Sequence, residues 1–158
     1  MMYKWTYETE VGVVTIGANK HSITYLKLHD TSIGAFKETV LIRQAYLQLE
    51  AYLRGECRNF DLPFEPGGTE FQKQVWHVVS TIPYGETMTY KAIAQMINKP
   101  KAIRAVGAAN GQNPIYMVIP CHRVIGSNGH LTGYGGGLEM KERLLKLEGA
   151  DINGSYKN

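Results

Sequence analysis

The sequence predicts an α/β chain: a small N-terminal antiparallel sheet with one covering helix, then a mainly helical second domain. That second domain should contain a helix-turn-helix and a short strand bearing Cys121. Three observations carry this. Before residue 30, apolar residues alternate with period two in successive stretches, as in strands with one wet face. After residue 36 they recur mostly at helical spacing. Between these helical stretches, an apolar run at Ile115–Ile119 is cut by Pro120 and followed at once by Cys121 and His122.

Taken in order, Tyr3, Trp5 and Tyr7 alternate with Lys4, Thr6 and Glu8 and give the first strand. Val11–Ile16 gives the second, with Gly12 at the hairpin, and Asn19–Lys20 the next turn. Ser22–Leu28 gives the third, and its change of phase between Tyr25 and Leu26 predicts a bulge. A helix is expected over Phe36–Arg54, with Phe36, Val40, Leu47 and Ala51 inward and Gly55 as its stop. Trp5 and the tyrosines read as packing, His21 and His29 as surface residues, and Cys57 as passive. Residues 59–69, with Pro63, Pro66 and Gly67–Gly68, have the composition of a linker.

Thr69 can cap a helix that begins at Glu70 and buries Phe71, Val75, Val78, Val79 and Ile82. Pro83–Tyr84–Gly85 ends it. Thr87 or Thr89 starts a second helix with Tyr90, Ile93, Ala94 and Ile97 on one stripe, and Asn98–Lys99–Pro100 turns the chain. Lys101–Ala109 is expected as a third, alanine-rich helix, and the last two form the helix-turn-helix. Asn110–Pro114 feeds the strand Ile115–Ile119. Ser127–Asn128–Gly129 and the glycines around Tyr134 are loops, and Leu138–Gly149 closes the fold. Domains are therefore placed at 1–62 and 70–150, joined by a linker at 63–69, with a flexible tail at 151–158.

Charge is distributed unevenly. Tyr84–Ile125 carries Lys91, Lys99, Lys101, Arg104 and Arg123 against Glu86 alone, whereas the flanking segments are close to balance. A positive segment with a helix N-terminus in it suits phosphate. No stretch is long and apolar enough to span a membrane. No signal peptide is expected, since Lys4 is followed by an alternating pattern. Two cysteines, Cys57 and Cys121, form neither a disulfide framework nor a zinc spacing, so no metal is expected.

Cys121 admits two readings. A free cysteine is commonly a small buried hydrophobe. Beside His122, and where a strand meets irregular chain, it is also a candidate nucleophile. Adjacency does not by itself make a pair, because neighbours on a strand point to opposite faces.

Pro120–Cys121–His122–Arg123–Val124 resembles the active-site signature of the O6-alkylguanine-DNA alkyltransferases. Phe71–Trp76, Ile82–Ala94, Ile103–Asn110, Asn113–Pro114 and Leu144–Gly149 resemble further blocks of that family, in the same order. The resemblance implies direct-reversal DNA repair. A methyl or larger alkyl group would pass irreversibly from O6 of guanine, with O4 of thymine a second candidate, to Cys121. It implies double-stranded DNA as partner, bound by the minor groove, and a monomer acting once in a reducing cytoplasm without cofactor.

Roles follow from the same resemblance. Cys121 would be nucleophile and acceptor, and His122 the base, with Glu148 orienting it. Asn113 would tie the site together by hydrogen bonds. Tyr90 would donate to guanine N3 and help turn the phosphate. Arg104 would fill the space of the flipped nucleotide. Ala102, Ala105 and Ala108 would fit the groove, while Thr89, Lys99, Lys101 and Arg123 would meet DNA. Tyr116, Val124, Tyr134 and Gly135 would line the substrate pocket, and the carbonyls of Cys121 and Val124 would accept the guanine amine. Tyr116 stands where well-known relatives carry proline, and Gly133 and Gly135 where some carry Asn and Ser, which bears on the size of alkyl group admitted. Three other readings fit less of the sequence. A non-catalytic relative would lack Cys121. A helix-turn-helix regulator would not need the Cys-His signature. A cysteine hydrolase would not need a basic helix beside it.

Overall fold

The computed structural model describes residues 2–30, 36–127, 129, 131 and 133–152. Contacts divide the chain into two units: residues up to 67 together with Pro114–Val118, and Gly68–Asn113 together with residues from Ile119 onward.

The first unit is a three-stranded antiparallel sheet, β1 (Tyr3–Thr9), β2 (Gly12–Ala18) and β3 (Ile23–Leu28), in that spatial order. Gly12 takes φ 102° at the hairpin, a conformation that favours glycine. The Asn19 side chain accepts the N–H groups of His21 and Ser22, fixing the next turn. The expected bulge is present: Gly17 pairs with Tyr25 and Ala18 with Ile23, so Thr24 is the extra residue.

One helix, α1 (Val40–Leu53), covers the sheet. It begins at residue 40 because the Thr39 hydroxyl caps it, accepting the Ile42 N–H, and Gly55 takes φ 76° just past its end. The expected inward face is corrected. Val40 and Leu47 are 77% and 51% exposed, whereas Ile42, Ala45, Leu49 and Tyr52 are fully buried. Two apolar stripes run along this helix. The buried one carries the residues that meet the sheet at 3–4 spacing, and Phe36 lies outside the helix altogether.

The composition that reads as a linker is partly tied down. Phe64 bridges to Ile23, whose N–H donates to the Pro63 carbonyl, and Leu62 is buried. The expected strand over Ile115–Ile119 is also corrected. Only Ile115 bridges to Leu26, with Leu26 N–H donating to Pro114 and Tyr116 N–H to Leu26. Met117 then turns the backbone at φ 71°, which ends any ladder. The run is apolar because it is buried, not because it is sheet.

The second unit is mainly helical. α2 (Glu70–Val79) opens on a reciprocal cap between Thr69 and Gln72. Its Trp76 indole N–H donates to the Ala109 carbonyl at 2.8 Å. α3 (Tyr90–Met96) is capped by Thr89, and α4 (Ile103–Gly111) starts two residues later than expected, with Ala102 as its cap. Pro100, which lacks an N–H, sits in the turn before it. A single 3-10 turn, Cys121–Arg123, precedes the two-residue strand β5 (Val124–Ile125), which pairs in parallel with β4 (Met88–Thr89). Cys121 therefore lies on the turn beside the short strand. α5 (Leu138–Leu147) packs on that turn and ends with Glu148 as its cap and Gly149 at φ 74°. Of the expected tail, residues 153–158 lie outside the described residues, as does Asn128 of the loop after the site. Among the described residues no helix is long and apolar enough to cross a membrane.

Candidate active site

The Glu148 carboxylate is where the site assembles. Its position at the C-terminal end of α5 is unfavourable to negative charge, so burial there requires partners. It has four. Oε1 accepts from Arg123 Nε at 2.8 Å and from the Gly85 N–H at 3.1 Å. Oε2 accepts from Arg123 Nη2 at 2.9 Å and from His122 Nε2 at 2.7 Å. A carboxylate can only accept, so Nε2 carries the ring proton and Nδ1 is the basic atom.

Arg123 is a correction. It is expected at the DNA surface, yet it is 6% exposed. Its fork holds Glu148 from two sides, Nη1 donates to the Ile82 carbonyl at 2.6 Å, and its guanidinium lies 5.7 Å from the Tyr84 ring centroid. A buried carboxylate needs this cation more than solvent-exposed phosphate does. Gly85 at φ 82° brings its N–H to Glu148, and a Cβ there would stand 3.0 Å from the Glu148 carbonyl oxygen.

His122 is fully buried, and burial pushes its pKa below 6.5. The Glu148 carboxylate pulls it back up, while the charges of Arg123 and Lys141 push it further down. The imidazole is thus held neutral and able to take a proton. Cys121 is buried beside it on the 3-10 turn. The Cys121 carbonyl accepts from Asn110 Nδ2 at 3.2 Å and from the Val124 N–H. Asn113, fully buried, donates to the Ile119 carbonyl at 2.7 Å and fixes the approach to Pro120.

The remaining expected residues separate into groups. Arg104, Ala105 and Ala108 form an exposed face of α4, opposite the buried Val106 and Ala109, and Lys101 is exposed in the turn before the helix. Ala102 offers α4 no side-chain cap. Tyr90 opens α3, with its ring 3.8 Å from where a Gly107 Cβ would stand. The Thr89 hydroxyl is committed to the Ala92 N–H at 3.0 Å, and the Lys99 ammonium lies over the Phe71 ring. Val124 is buried beside the turn, Tyr134 is half-buried, and Gly135 is exposed. Tyr116 falls in the first unit, under the Lys27 ammonium at 4.5 Å.

Sequence reasoning missed Asn110, Gly85 and Lys141. Lys141 is fully buried, and its pKa is pulled down to about 8 by that burial, with the Cys121 charge acting against the shift. A signal existed: Lys141, Leu144, Leu145 and Glu148 recur at helical spacing on the buried face of α5.

Two family models match. One, described as 6-O-methylguanine DNA methyltransferase, DNA binding domain, covers residues 70–150. The other, its ribonuclease-like domain, covers residues 2–66. The methylated-DNA–protein-cysteine methyltransferase of Methanosarcina acetivorans is 46% identical over 155 residues, spanning 94% of this chain and 99% of that protein. Its Methanosarcina barkeri counterpart is 48% identical, spanning 93% and 97%. The crystal structure of Mycobacterium tuberculosis OGT in complex with DNA superposes with a TM-score of 0.86 at 44% identity, covering 93% of this chain and 92% of that one.

Replacing Arg123 with Met is expected to lower stability by about 3–5 kcal/mol in urea unfolding, because Glu148 is left buried without its cation. A surface arginine would cost under about 0.5 kcal/mol, and a loss that small would remove Arg123 from this role. The His122 pKa is depressed in the folded state, so below its unfolded value of 6.5 the unfolded chain binds the proton more readily. Stability present above that pH is lost as pH falls through it. Between about pH 7.5 and about pH 5.5 the urea midpoint should fall more steeply in the native protein than in His122→Asn. Parallel profiles would contradict the shift.

Proposed function

The chain belongs to the 6-O-methylguanine DNA methyltransferase family, and from that premise we propose how its residues carry out direct reversal of O6-alkylguanine in duplex DNA. The family's activity is transfer of the alkyl group to a protein cysteine. The observation that carries the assignment to Cys121 is its place on a buried turn beside a neutral histidine already fixed by a carboxylate.

His122 Nδ1 accepts the thiol proton, directly or through a water molecule, and Glu148 stabilises the resulting imidazolium. The thiolate attacks the alkyl carbon. The S–C bond forms as the C–O6 bond breaks, and the electron pair leaves with the purine, which takes a proton in return. Tyr90, placed at the start of α3, serves as the donor to guanine N3 and offsets charge developing on the base. The thioether is a poor leaving group, so each molecule acts once. The reading extends to O4 of thymine, whose alkyl carbon is bonded to the same kind of exocyclic oxygen. The residues present complete the chemistry without a cofactor, and one protomer suffices.

O6 lies inside the base stack, so the nucleotide must be turned out. The exposed α4 face supports entry into the narrow minor groove: Ala105 and Ala108 have little bulk, and Arg104 beside them reaches into the vacated stack. Lys101 and the uncapped start of α4 meet phosphate. Residues 70–150 form the catalytic and DNA-binding domain, and 1–62 the accessory one. Val124, Tyr134 and Gly135 border the base pocket. A working thiolate suits the reducing cytoplasm.

Incubating the protein with duplex DNA carrying O6-methylguanine should add roughly 14 Da, one methyl for one hydrogen, to the peptide containing Cys121. Folded protein left unmodified by stoichiometric damaged duplex would refute the assignment. Arg104→Ala should slow transfer from the duplex much more than transfer from the free methylated base. Equal slowing would remove Arg104 from the flipping step.

A further inference from the structure

Asn110 stands in the last turn of α4, on the helix that carries the exposed Arg104, Ala105 and Ala108 but on its buried side. Its Nδ2 donates to the Cys121 carbonyl at 3.2 Å, while its Oδ1 is buried and has no hydrogen-bond partner. The carbonyl fixes which way round the amide lies, because the reversed amide would set oxygen against oxygen. Nearly all buried acceptors in folded proteins are satisfied, and an open one is costly. Two neighbouring donors are engaged elsewhere: the Trp76 indole N–H with the Ala109 carbonyl at 2.8 Å, and the Asn113 amide with the Ile119 carbonyl at 2.7 Å.

We propose that Asn110 Oδ1 accepts a hydrogen bond from the exocyclic amine of the flipped guanine, and so selects purines that carry a 2-amino group. This rests on the reading of Cys121 as the alkyl acceptor and adds the choice of base to it. Bond geometry puts an amide oxygen about 2.3 Å from its nitrogen, so Oδ1 lies within about 5.5 Å of the Cys121 carbonyl oxygen. It is an open acceptor beside the residue whose sulfur must meet the alkyl carbon. Cys121 and Asn110 are 3% and 4% exposed. An opening that brings the alkyl carbon to the sulfur therefore brings the edge of the base to the amide.

The chemistry of the lesion singles out this contact. Alkylation at O6 removes the N1 hydrogen of guanine, so the exocyclic amine is the one N–H donor left on the base. Turning the nucleotide out of the duplex separates that amine from the opposite strand. A buried acceptor then discriminates strongly, because a base without the amine leaves it unsatisfied. The amine carries two hydrogens, so a side-chain acceptor can act beside the backbone carbonyls of the turn. Asn110 forms and breaks no covalent bond and takes no part in the proton path. Its work is to read the base.

The test follows single-turnover methylation of the Cys121 peptide by mass spectrometry, using duplexes that carry O6-methylguanine or O6-methylhypoxanthine. These bases differ by the amino group alone. The full-length native protein is compared with Asn110→Leu, which keeps the shape and removes the acceptor, and with Asn110→Asp, which keeps an acceptor. The ratio of the guanine rate to the hypoxanthine rate should fall about tenfold in Asn110→Leu and stay near its native value in Asn110→Asp. Losing the bond to the Cys121 carbonyl would slow both substrates alike. A merely structural role, or an Oδ1 satisfied by solvent, therefore leaves the ratio unchanged in Asn110→Leu, and that result would overturn the proposal. An equal fall in Asn110→Asp overturns it too. If circular dichroism shows Asn110→Leu unfolded, Asn110→Ala is read in the same way. Native protein that modifies neither duplex refutes the reading of Cys121 together with this inference, whereas normal transfer with an unchanged ratio refutes this inference alone.

Discussion

A single carboxylate holding four donors is the constraint on which the second unit depends. Glu148 joins three stretches far apart in sequence: the end of α5, the turn after α2 through Gly85, and the 3-10 turn through His122 and Arg123. Each donor has a separate reason to be there. Arg123 offsets the cost of burying the charge, Gly85 supplies a backbone N–H that a Cβ would crowd away, and His122 gains a fixed tautomer. The arginine's charge also works with burial to keep the imidazole neutral against the pull of the carboxylate.

The two kinds of positive charge in this unit have different work. Arg123 and Lys141 are buried and shape acidity. Lys101, in the turn before α4, and Arg104, in its first turn, are exposed beside small side chains, where the field of a charge weakens with salt. Sequence position does not distinguish the two. Arg123 follows the Cys-His pair directly and looks like a DNA contact until its burial is known.

Features set by local chemistry were legible in the sequence. The Thr69 cap, the Asn19 turn, the bulge at Thr24 and the glycine stops at Gly55 and Gly149 depend on a few neighbouring residues, and all are present. The pairing of His122 with Glu148 was legible through resemblance alone. Features set by distant partners were not. α1 carries two apolar stripes, and only the sheet decides which is buried. Ile115–Ile119 has the composition of a strand, but β3 offers it a single bridge. Lys141 reads as polar surface unless its helical spacing from Leu144 and Glu148 is counted.

The parallel ladder between β4 and β5 is only two residues long, yet one of its members, Thr89, also caps α3. The helix pair and the sulfur-bearing loop are thus spliced through one threonine. Any tilt of α3 would therefore be felt at β5 and at the 3-10 turn just before it. Misplacement by about an ångström can cost on the order of a hundredfold in rate. The splice therefore fixes the spacing between the start of α3 and the turn that bears Cys121.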